Sequence, residues 1–312
     1  MSLNIIDKEM RLFDHLVARF PEHKKTKLKQ FLKYGSVTVN GTVTTAYHHV
    51  LRPGDRVELL DRASAQREGL KSRLSFPIVF EDDWLIVIDK PEGLLTIGTE
   101  KDKVDTAYFE LTAYVRSQSR DGRGRIFIVH RLDREASGLL VFAKRASSKE
   151  TLQKKWADAA KKYYAVVEGA PEKRSGVIKN YLLEDKFRRV YSADKPSRGA
   201  KQAVTRYEVL RDNGRFALLD VTLVTGRKNQ IRVHLSGLGH PIAGDDKYGG
   251  RSDAAGRLAL HAYFLSFRHP ETGELKTFKS ALPESLEKLV AEPASPARRD
   301  TLGGGRRRDL RG

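Results

Sequence analysis

The chain has 312 residues, with 58 Lys and Arg against 40 Asp and Glu, and its net charge of +18 is typical of proteins that bind nucleic acid. Hydrophobic residues make up 39%, enough for at least one substantial core, and the lack of cysteine excludes disulfide scaffolds, thiolate zinc sites, iron–sulfur clusters and cysteine nucleophiles. No run of about 18 apolar residues occurs, so we expect a soluble, cytoplasmic protein without a signal peptide or membrane span.

Residues 1–62 have the pattern of a small domain of two helices and short strands. Apolar spacing over 12–17 and the basic stretch 25–33 each predict a helix, with Gly35 as the C-cap of the second. A strand over 37–39 then enters an Asn40-Gly41 turn. The lysines of the second helix are candidates for RNA contact or for an ordinary solvated face: Lys25, Lys27, Lys29 and Lys33.

A polar stretch over 63–75 has the composition of a linker, and residues 76–290 have the pattern of a larger domain. Because its strands do not alternate regularly with helices, we expect an α+β fold with a mixed, mainly antiparallel sheet. The predicted strands are 78–80, 85–88, 127–129, 139–142, 165–167, 205–210, 216–224 and 258–267, and the helices are 104–115, 147–156 and 283–290. Residues 291–312 are rich in Ala, Pro, Gly and Arg and are expected to be a disordered basic tail.

Three clusters contain side chains that could do chemistry. Asp133 lies in the loop 130–137 between two predicted strands, where functional residues often occur, although one Asp among arginines is more often a turn or salt-bridge residue. Tyr163 begins an apolar strand behind two lysines, and core packing explains it equally well. Arg232 is expected off the apolar face of a helix, free to reach a carboxylate.

Other chemistries find no support in the sequence. None of the nine histidines has a recognisable metal-ligand spacing with carboxylates, so we expect no metal site. The glycine clusters lack the strand and helix context of a dinucleotide or phosphate loop, so no nucleotide cofactor is expected. A monomer is expected because the chain has no coiled-coil heptads.

Taken together, these clusters resemble the RluA-type RNA pseudouridine synthases, over about residues 76–283. The likeness also includes Asp-Lys-Pro-Glu-Gly-Leu at 89–94, Gly-His-Pro-Ile-Ala-Gly-Asp at 239–245 and Leu-Ala-Leu-His-Ala at 258–262. Residues 1–62 are similar to the S-four (alpha-L) RNA-binding domain. Ala136 stands where the family often has threonine, and Lys228-Asn229 replaces a frequent Thr-His or Lys-His.

The resemblance implies an enzyme that isomerises uridine in structured RNA, without a cofactor. It makes Asp133 the catalytic aspartate, Tyr163 the active-site tyrosine, Arg232 the partner of the aspartate and Arg131 the side chain that fills the place of the flipped base. Lys90 is assigned to RNA binding with the lysines of the N-terminal helix. Since Arg232 would favour the ionised aspartate, we expect it to lower the pKa of Asp133.

The sequence leaves more than one RNA substrate open. The appended N-terminal domain favours large-subunit ribosomal RNA, and the same chemistry on transfer RNA is the alternative. A third reading is an RNA-binding or ribosome-assembly factor with an inactive catalytic domain. The set of Asp133, Tyr163 and Arg232 favours an enzyme, because a pure binder needs no nucleophile with both partners.

Overall fold

The computed structural model describes residues 3–33, 36–60, 74–98, 105–119, 123–250 and 255–291. Gly35, nearly all of the predicted linker and all but the first residue of the predicted tail lie outside these ranges. None of the described helices is long and apolar enough to span a membrane.

Residues 3–60 form short strands and two helices around their own apolar cluster. The elements are β1 (Leu3–Ile5), β2 (Met10–Arg11), α1 (Leu12–Arg19), α2 (Lys25–Lys33), β3 (Val37–Val39), β4 (Thr42–Val43), β5 (Val50–Leu51) and β6 (Arg56–Leu59). Leu12 and Leu16 of α1 pack with Leu28 and Leu32 of α2, and all four side chains are fully buried. Asn40 and Gly41 have φ angles of 52° and 79°, which confirms the predicted hairpin turn.

Residues 74–291 are built around one large sheet. Its elements are β7 (Ile78–Glu81), β8 (Leu85–Lys90), α3 (Ala107–Gln118), β9 (Phe127–Ile128), β10 (Ser137–Ala143), α4 (Ala146–Lys154), β11 (Ala160–Glu168), β12 (Ser175–Glu184), β13 (Val190–Ala193), β14 (Lys201–Asp212), β15 (Phe216–Leu223), α5 (Gln230–Gly237), β16 (Leu260–Arg268), β17 (Leu275–Lys279) and α6 (Glu284–Val290). The main strand order is β13-β12-β14-β15-β11-β16-β10-β8-β7.

The sheet confirms the predicted α+β class with mainly antiparallel pairing. Among the described strands of this sheet, β10 and β16 form the one parallel pair, which joins the β7–β10 half to the β11–β15 half. All seven residues of β10 are buried, as expected for a central strand covered on both faces. Strands β12, β13 and β17 were not predicted from the sequence. They lie toward the edges of the sheet, so their burial alternates or is low and leaves little apolar pattern.

Candidate active site

Strand pairing at the centre of the sheet places Asp133 and Tyr163 close together. His261 of β16 pairs with Ser137, at the start of β10, on one side and with Tyr164 of β11 on the other. The loop that precedes Ser137 and carries Asp133 therefore lies beside Tyr163. Gly138 permits the close approach of β10 and β16, because its φ is 114° and an added Cβ would lie 2.3 Å from the carbonyl oxygen of Ala262.

The loop that carries Asp133 is fixed by a buried lysine. Lys90, at the end of β8, has no exposed surface, and its ammonium donates to the carbonyl oxygens of Pro91 at 2.7 Å, Leu94 at 2.9 Å and Arg134 at 3.3 Å. Burial lowers the pKa of Lys90 to about 8, with the nearby charge of Arg257 adding to the effect. The ammonium therefore ties the loop after β8 to the residue next to Asp133.

This geometry corrects the assignment of Lys90 to RNA binding. A side chain with no exposed surface does not reach a phosphate, and its three donors are already used by main-chain carbonyls. The sequence placed Lys90 in the family-like motif 89–94 of a basic protein, but the fold turns its side chain inward at the end of a buried strand. Thr96 fixes the same loop, since its hydroxyl bridges the main-chain N and O of Leu132 at 3.2 and 3.0 Å.

Helix α5 is buried on its polar as well as its apolar side. Gln230 donates to the carbonyl oxygen of Val204 at 3.0 Å and to the Thr205 hydroxyl at 2.9 Å, which anchors the start of the helix to β14. The ring nitrogens of His234 lie 2.8 Å from Thr205 Oγ1 and from Asn180 Oδ1. Burial lowers the pKa of His234 to about 4, so this histidine is a neutral, satisfied core residue.

On the same helix, Arg232 joins two carboxylates. Its Nε and Nη2 donate to Oδ2 and Oδ1 of Asp245 at 2.9 and 2.8 Å, while its Nη1 lies 3.5 Å from Asp133 Oδ2. Arg232 reaches carboxylates, as the sequence predicted, but its side chain is only 7% exposed, and Asp245 is completely buried. Burial opposes charge on Arg232, but the hydrogen bonds and charge of Asp245 outweigh it and raise its pKa.

Asn229 is a second contact of Asp133, and the sequence did not predict it. With its amide oriented to satisfy all neighbours, Nδ2 donates to Asp133 Oδ2 at 3.0 Å, and Oδ1 accepts from Lys247 Nζ at 3.2 Å and from the Tyr248 hydroxyl at 3.0 Å. Asn229 precedes α5 with a φ of 53°, a conformation in which Asn and His are enriched among non-glycine residues. The backbone thus restricts which residues can place a donor here.

The pKa of Asp133 is raised, not lowered as the sequence predicted. Burial of the carboxyl raises the pKa, and this outweighs the opposing charge of Arg232. Glu135, whose carboxylate lies 3.6 Å from Arg232 Nη1, contributes in the same direction as burial. Arg232 limits the rise but does not reverse it, because two of its three nitrogens are committed to Asp245.

These side chains line an open cleft of about 780 Å³, a size suited to a nucleotide-sized group. The sequence-predicted residues that meet there are Arg131, Asp133, Tyr163 and Arg232. Arg131 is exposed at the cleft, two residues before Asp133. Trp156 forms part of the wall, with its ring 4.6 Å from that of His130. Burial lowers the pKa of His130 to about 3, and its neutral Nε2 accepts from the main-chain N of Val141.

Tyr163 is half-buried between two apolar clusters, one formed with β15 and α5 and the other with β8 and α3. Burial raises the pKa of its hydroxyl, and the negative charge of Asp133 adds to the shift. The hydroxyl therefore stays protonated at neutral pH, which favours a packing or stacking role over proton removal.

The other predicted RNA contacts lie on α2. Lys25, Lys27 and Lys29 are exposed, and the ammonium groups of Lys27 and Lys29 lie 5.6 and 5.8 Å from the ring centres of Phe31 and Phe13. The side chain of Lys33 lies outside the described part of the structure. Within the described residues, no group of three or more His, Asp or Glu side chains is arranged to hold a metal ion.

The cleft thus presents one carboxylate, held by an arginine and an amide, next to a tyrosine and an exposed arginine. This arrangement can place a single ionised carboxylate against a planar base that enters the cleft. Residues 84–237, which include Asp133, Tyr163 and Arg232, match the family described as RNA pseudouridylate synthase.

Similar proteins agree with this family. The chain is 34% identical over 288 residues to the "Uncharacterized RNA pseudouridine synthase YlyB" of Bacillus subtilis (strain 168), covering 91% of this chain and 94% of that protein. It is 33% identical over 304 residues to "Ribosomal large subunit pseudouridine synthase D" of Pseudomonas aeruginosa, covering 89% and 90%. Among solved structures, "Human RNA Pseudouridylate Synthase Domain Containing 4" matches with a TM-score of 0.56 and 25% identity, covering 72% of this chain and 94% of that one.

The chain belongs to the RNA pseudouridylate synthase family, as its RluA-type motifs predicted. It is an RNA pseudouridine synthase, and RNA is its substrate.

Proposed function

We propose that this enzyme isomerises uridine to pseudouridine in structured RNA of the large ribosomal subunit, with Asp133 as the essential catalytic residue. The observation that carries the proposal is the position of Asp133 in the cleft, with Arg232 Nη1 at 3.5 Å and Asn229 Nδ2 at 3.0 Å from the same oxygen. Both donors stabilise the ionised carboxylate that the reaction needs.

The reaction breaks the bond between ribose C1′ and uracil N1 and joins C1′ to C5 before the C5 proton leaves. It is an isomerisation without net oxidation, so the chemistry needs no cofactor. The ionised Asp133 acts either by adding to the base or sugar or by removing a proton from the sugar. Ordinary glycoside hydrolysis would need two carboxylates, one of them a protonated acid. Glu135, the nearest other carboxylate in sequence, is 54% exposed, which gives it no apolar pocket that would keep it protonated.

Two further side chains complete the proposed site. The target base must leave its stack to reach Asp133, at a cost of a few kcal/mol. Arg131 is exposed beside Asp133, so its guanidinium can fill the gap and stack on the bases left behind. Tyr163, whose hydroxyl stays protonated, packs against the flipped uracil.

The excess of positive charge supplies contacts to the RNA phosphates. We propose that residues 1–62 form an RNA-binding domain whose exposed Lys25, Lys27 and Lys29, together with Lys33, contact phosphates. Ribosomal RNA is favoured because relatives over about 90% of this chain are named for the large ribosomal subunit, among them the Pseudomonas aeruginosa protein.

The deciding experiment is the release of tritium from RNA labelled at uridine C5, comparing ribosomal and transfer RNA transcripts. Release from large-subunit transcripts is expected, with a fall of about 10³-fold or more in Asp133→Asn. Glu135→Gln is the matched control and should remain close to the wild type. Release from transfer RNA alone would reject the ribosomal substrate, and full activity of Asp133→Asn would reject the catalytic role of Asp133.

A further inference from the structure

The turn between β12 and β13 presents an unusually exposed aromatic ring. Phe187 is 79% exposed, more than any other large hydrophobic side chain in the described part of the chain. Single exposed apolar side chains are common on protein surfaces, so the hydrogen bonds and charges around Phe187 decide whether its ring is a binding contact.

The turn holds Phe187 in place through its own hydrogen bonds. Asp185 Oδ1 accepts from the main-chain N of Phe187 at 2.9 Å and of Arg189 at 2.8 Å. Arg188, with a φ of 61°, completes the turn by donating its main-chain N to the carbonyl oxygen of Asp185 at 3.0 Å. The local sequence therefore forms a closed turn whose outermost apolar group is the phenyl ring.

This turn is braced against the wall of the cleft. Lys228, which lines the cleft, donates from Nζ to Glu184 Oε1 at 2.5 Å and to the carbonyl oxygen of Arg188 at 3.0 Å. Arg189 donates to the carbonyl oxygen of Lys247, whose ammonium contacts Asn229. Two independent contacts thus link the turn to residues that surround Asp133.

The hairpin also carries a concentration of positive charge. Residues 185–201, named here the basic hairpin, contain six Lys and Arg against two Asp, and the six basic side chains are exposed. The ammonium of Lys186 lies 5.1 Å from the ring centre of Phe187. An aromatic ring among exposed cations is the combination by which proteins hold single-stranded nucleic acid, with stacking on the base and ion pairs to the phosphates.

We propose that Phe187 stacks on an unpaired base of the substrate RNA close to the flipped uridine, while the basic side chains of the hairpin contact the flanking phosphates. The proposal rests on the proposed function, and it narrows the substrate to uridines in loops or bulges with an unpaired neighbour. A protein partner fits less well, because one isolated ring among cations offers far less than the apolar core of a stable interface.

The test compares the affinities of Phe187→Ala, Phe187→Trp and the wild type for two synthetic RNAs. One is a hairpin with a uridine loop, and the other is the blunt duplex of the same stem. Val177→Ala is the matched control, because Val177 is an apolar side chain of β12 that is 63% exposed and lies away from the turn. Dissociation constants are measured by filter binding at low and moderate salt.

Loss of the ring should weaken binding to the hairpin by about 10-fold, equivalent to about 1.4 kcal/mol, and leave binding to the duplex unchanged. The factor should be equal at both salt concentrations, since the phenyl ring neutralises no phosphate. Phe187→Trp should restore the affinity, because indole also stacks. Val177→Ala should match the wild type with both RNAs.

Equal affinity of Phe187→Ala and wild type for the hairpin would overturn the proposal. An equal loss of affinity of Phe187→Ala for the hairpin and the duplex would also overturn it, as would a loss of affinity that Phe187→Trp does not restore. Tritium release by the wild type is measured separately with ribosomal transcripts. Its failure would reject the proposed substrate, while the ratio of dissociation constants would still decide the role of Phe187.

Discussion

Arg232 donates two of its nitrogens to Asp245 and turns the third toward Asp133, 3.5 Å away. The buried Asp245 thereby sets the direction in which the guanidinium faces, and it also accepts from the main-chain N of Lys247 and Tyr248 at 3.0 Å. A carboxylate outside the cleft lining thus determines where positive charge lies inside it.

Asp245→Asn should reduce both stability and activity. An amide presents one oxygen instead of two, so a buried guanidinium loses half of its pairing, and the free energy of unfolding should fall by about 3 kcal/mol. The turnover of saturating RNA should fall by about 100-fold because Arg232 is no longer aimed at Asp133. Urea unfolding and tritium release measure the two effects.

The neighbouring Asp246 provides the control for that variant. Asp246 is exposed, so Asp246→Asn changes the same charge without touching Arg232 and should behave as the wild type. If both variants were equally active, a role for Asp245 in orienting the arginine would be excluded.

Asn229 should set the acid side of the pH profile. Activity needs the ionised Asp133, so it falls as the pH decreases through the pKa of this carboxyl, which burial raises above 3.8. Asn229→Gly tolerates the left-handed backbone but removes a donor to the charged form, so the acid limb should move to higher pH by about one unit.

Asn229→His tests the same idea from the opposite direction. Histidine is frequent at this position in the family motif and can donate a hydrogen bond. The acid limb of Asn229→His should therefore lie closer to that of the wild type than the acid limb of Asn229→Gly does. The two profiles are measured as the saturating rate of tritium release against pH. Identical acid limbs in Asn229→Gly and wild type would show that the amide does not influence Asp133.

Tyr163→Phe should retain the chemical step. Since burial raises the pKa of the hydroxyl, it remains protonated, and its removal should slow the saturating rate by less than about tenfold. General acid–base catalysis contributes about 10²- to 10⁴-fold, so a loss in that range in single-turnover kinetics would assign the hydroxyl to proton transfer instead.

Lys90→Met should slow turnover without altering phosphate binding. The loop beside Asp133 loses the ammonium that joins three carbonyl oxygens, so the saturating rate should fall by up to about 100-fold. The dependence of log affinity on log salt should keep its slope. Lys27→Ala is the contrasting variant, in which removal of one phosphate contact should reduce the slope by about 0.7 to 0.9. A reduced slope in Lys90→Met would restore this lysine to the RNA-binding surface.

The fold class was predictable because the buried strands leave a strong apolar signal. The runs at 85–88 and 139–142 became β8 and β10, and the Asn40-Gly41 dipeptide became a hairpin turn. Strands near the sheet edges were not predictable in this way. In β12, exposed and half-buried residues alternate with little apolar contrast, so its pairing with β14 depends on contacts far apart in sequence.

The site was predictable in part, for a related reason. The motifs brought Asp133, Tyr163 and Arg232 to one cleft, but Asp245 lies 13 residues beyond Arg232 and meets it only through the turn after α5. Two predictions were wrong because both side chains are buried. Lys90 has no exposed surface and is not available to RNA, and burial raises the pKa of Asp133 despite the nearby arginine. Neither effect is visible in a linear pattern of charges.

Trp156 gives the cleft an optical probe of its own. The chain has two tryptophans. Trp156 lies beside His130 in the wall of the cleft, whereas Trp84 packs against Arg145 and His269. A base that enters the cleft changes the surroundings of one indole and leaves the other as an internal reference. Substrate entry can therefore be followed by intrinsic fluorescence in the unlabelled enzyme.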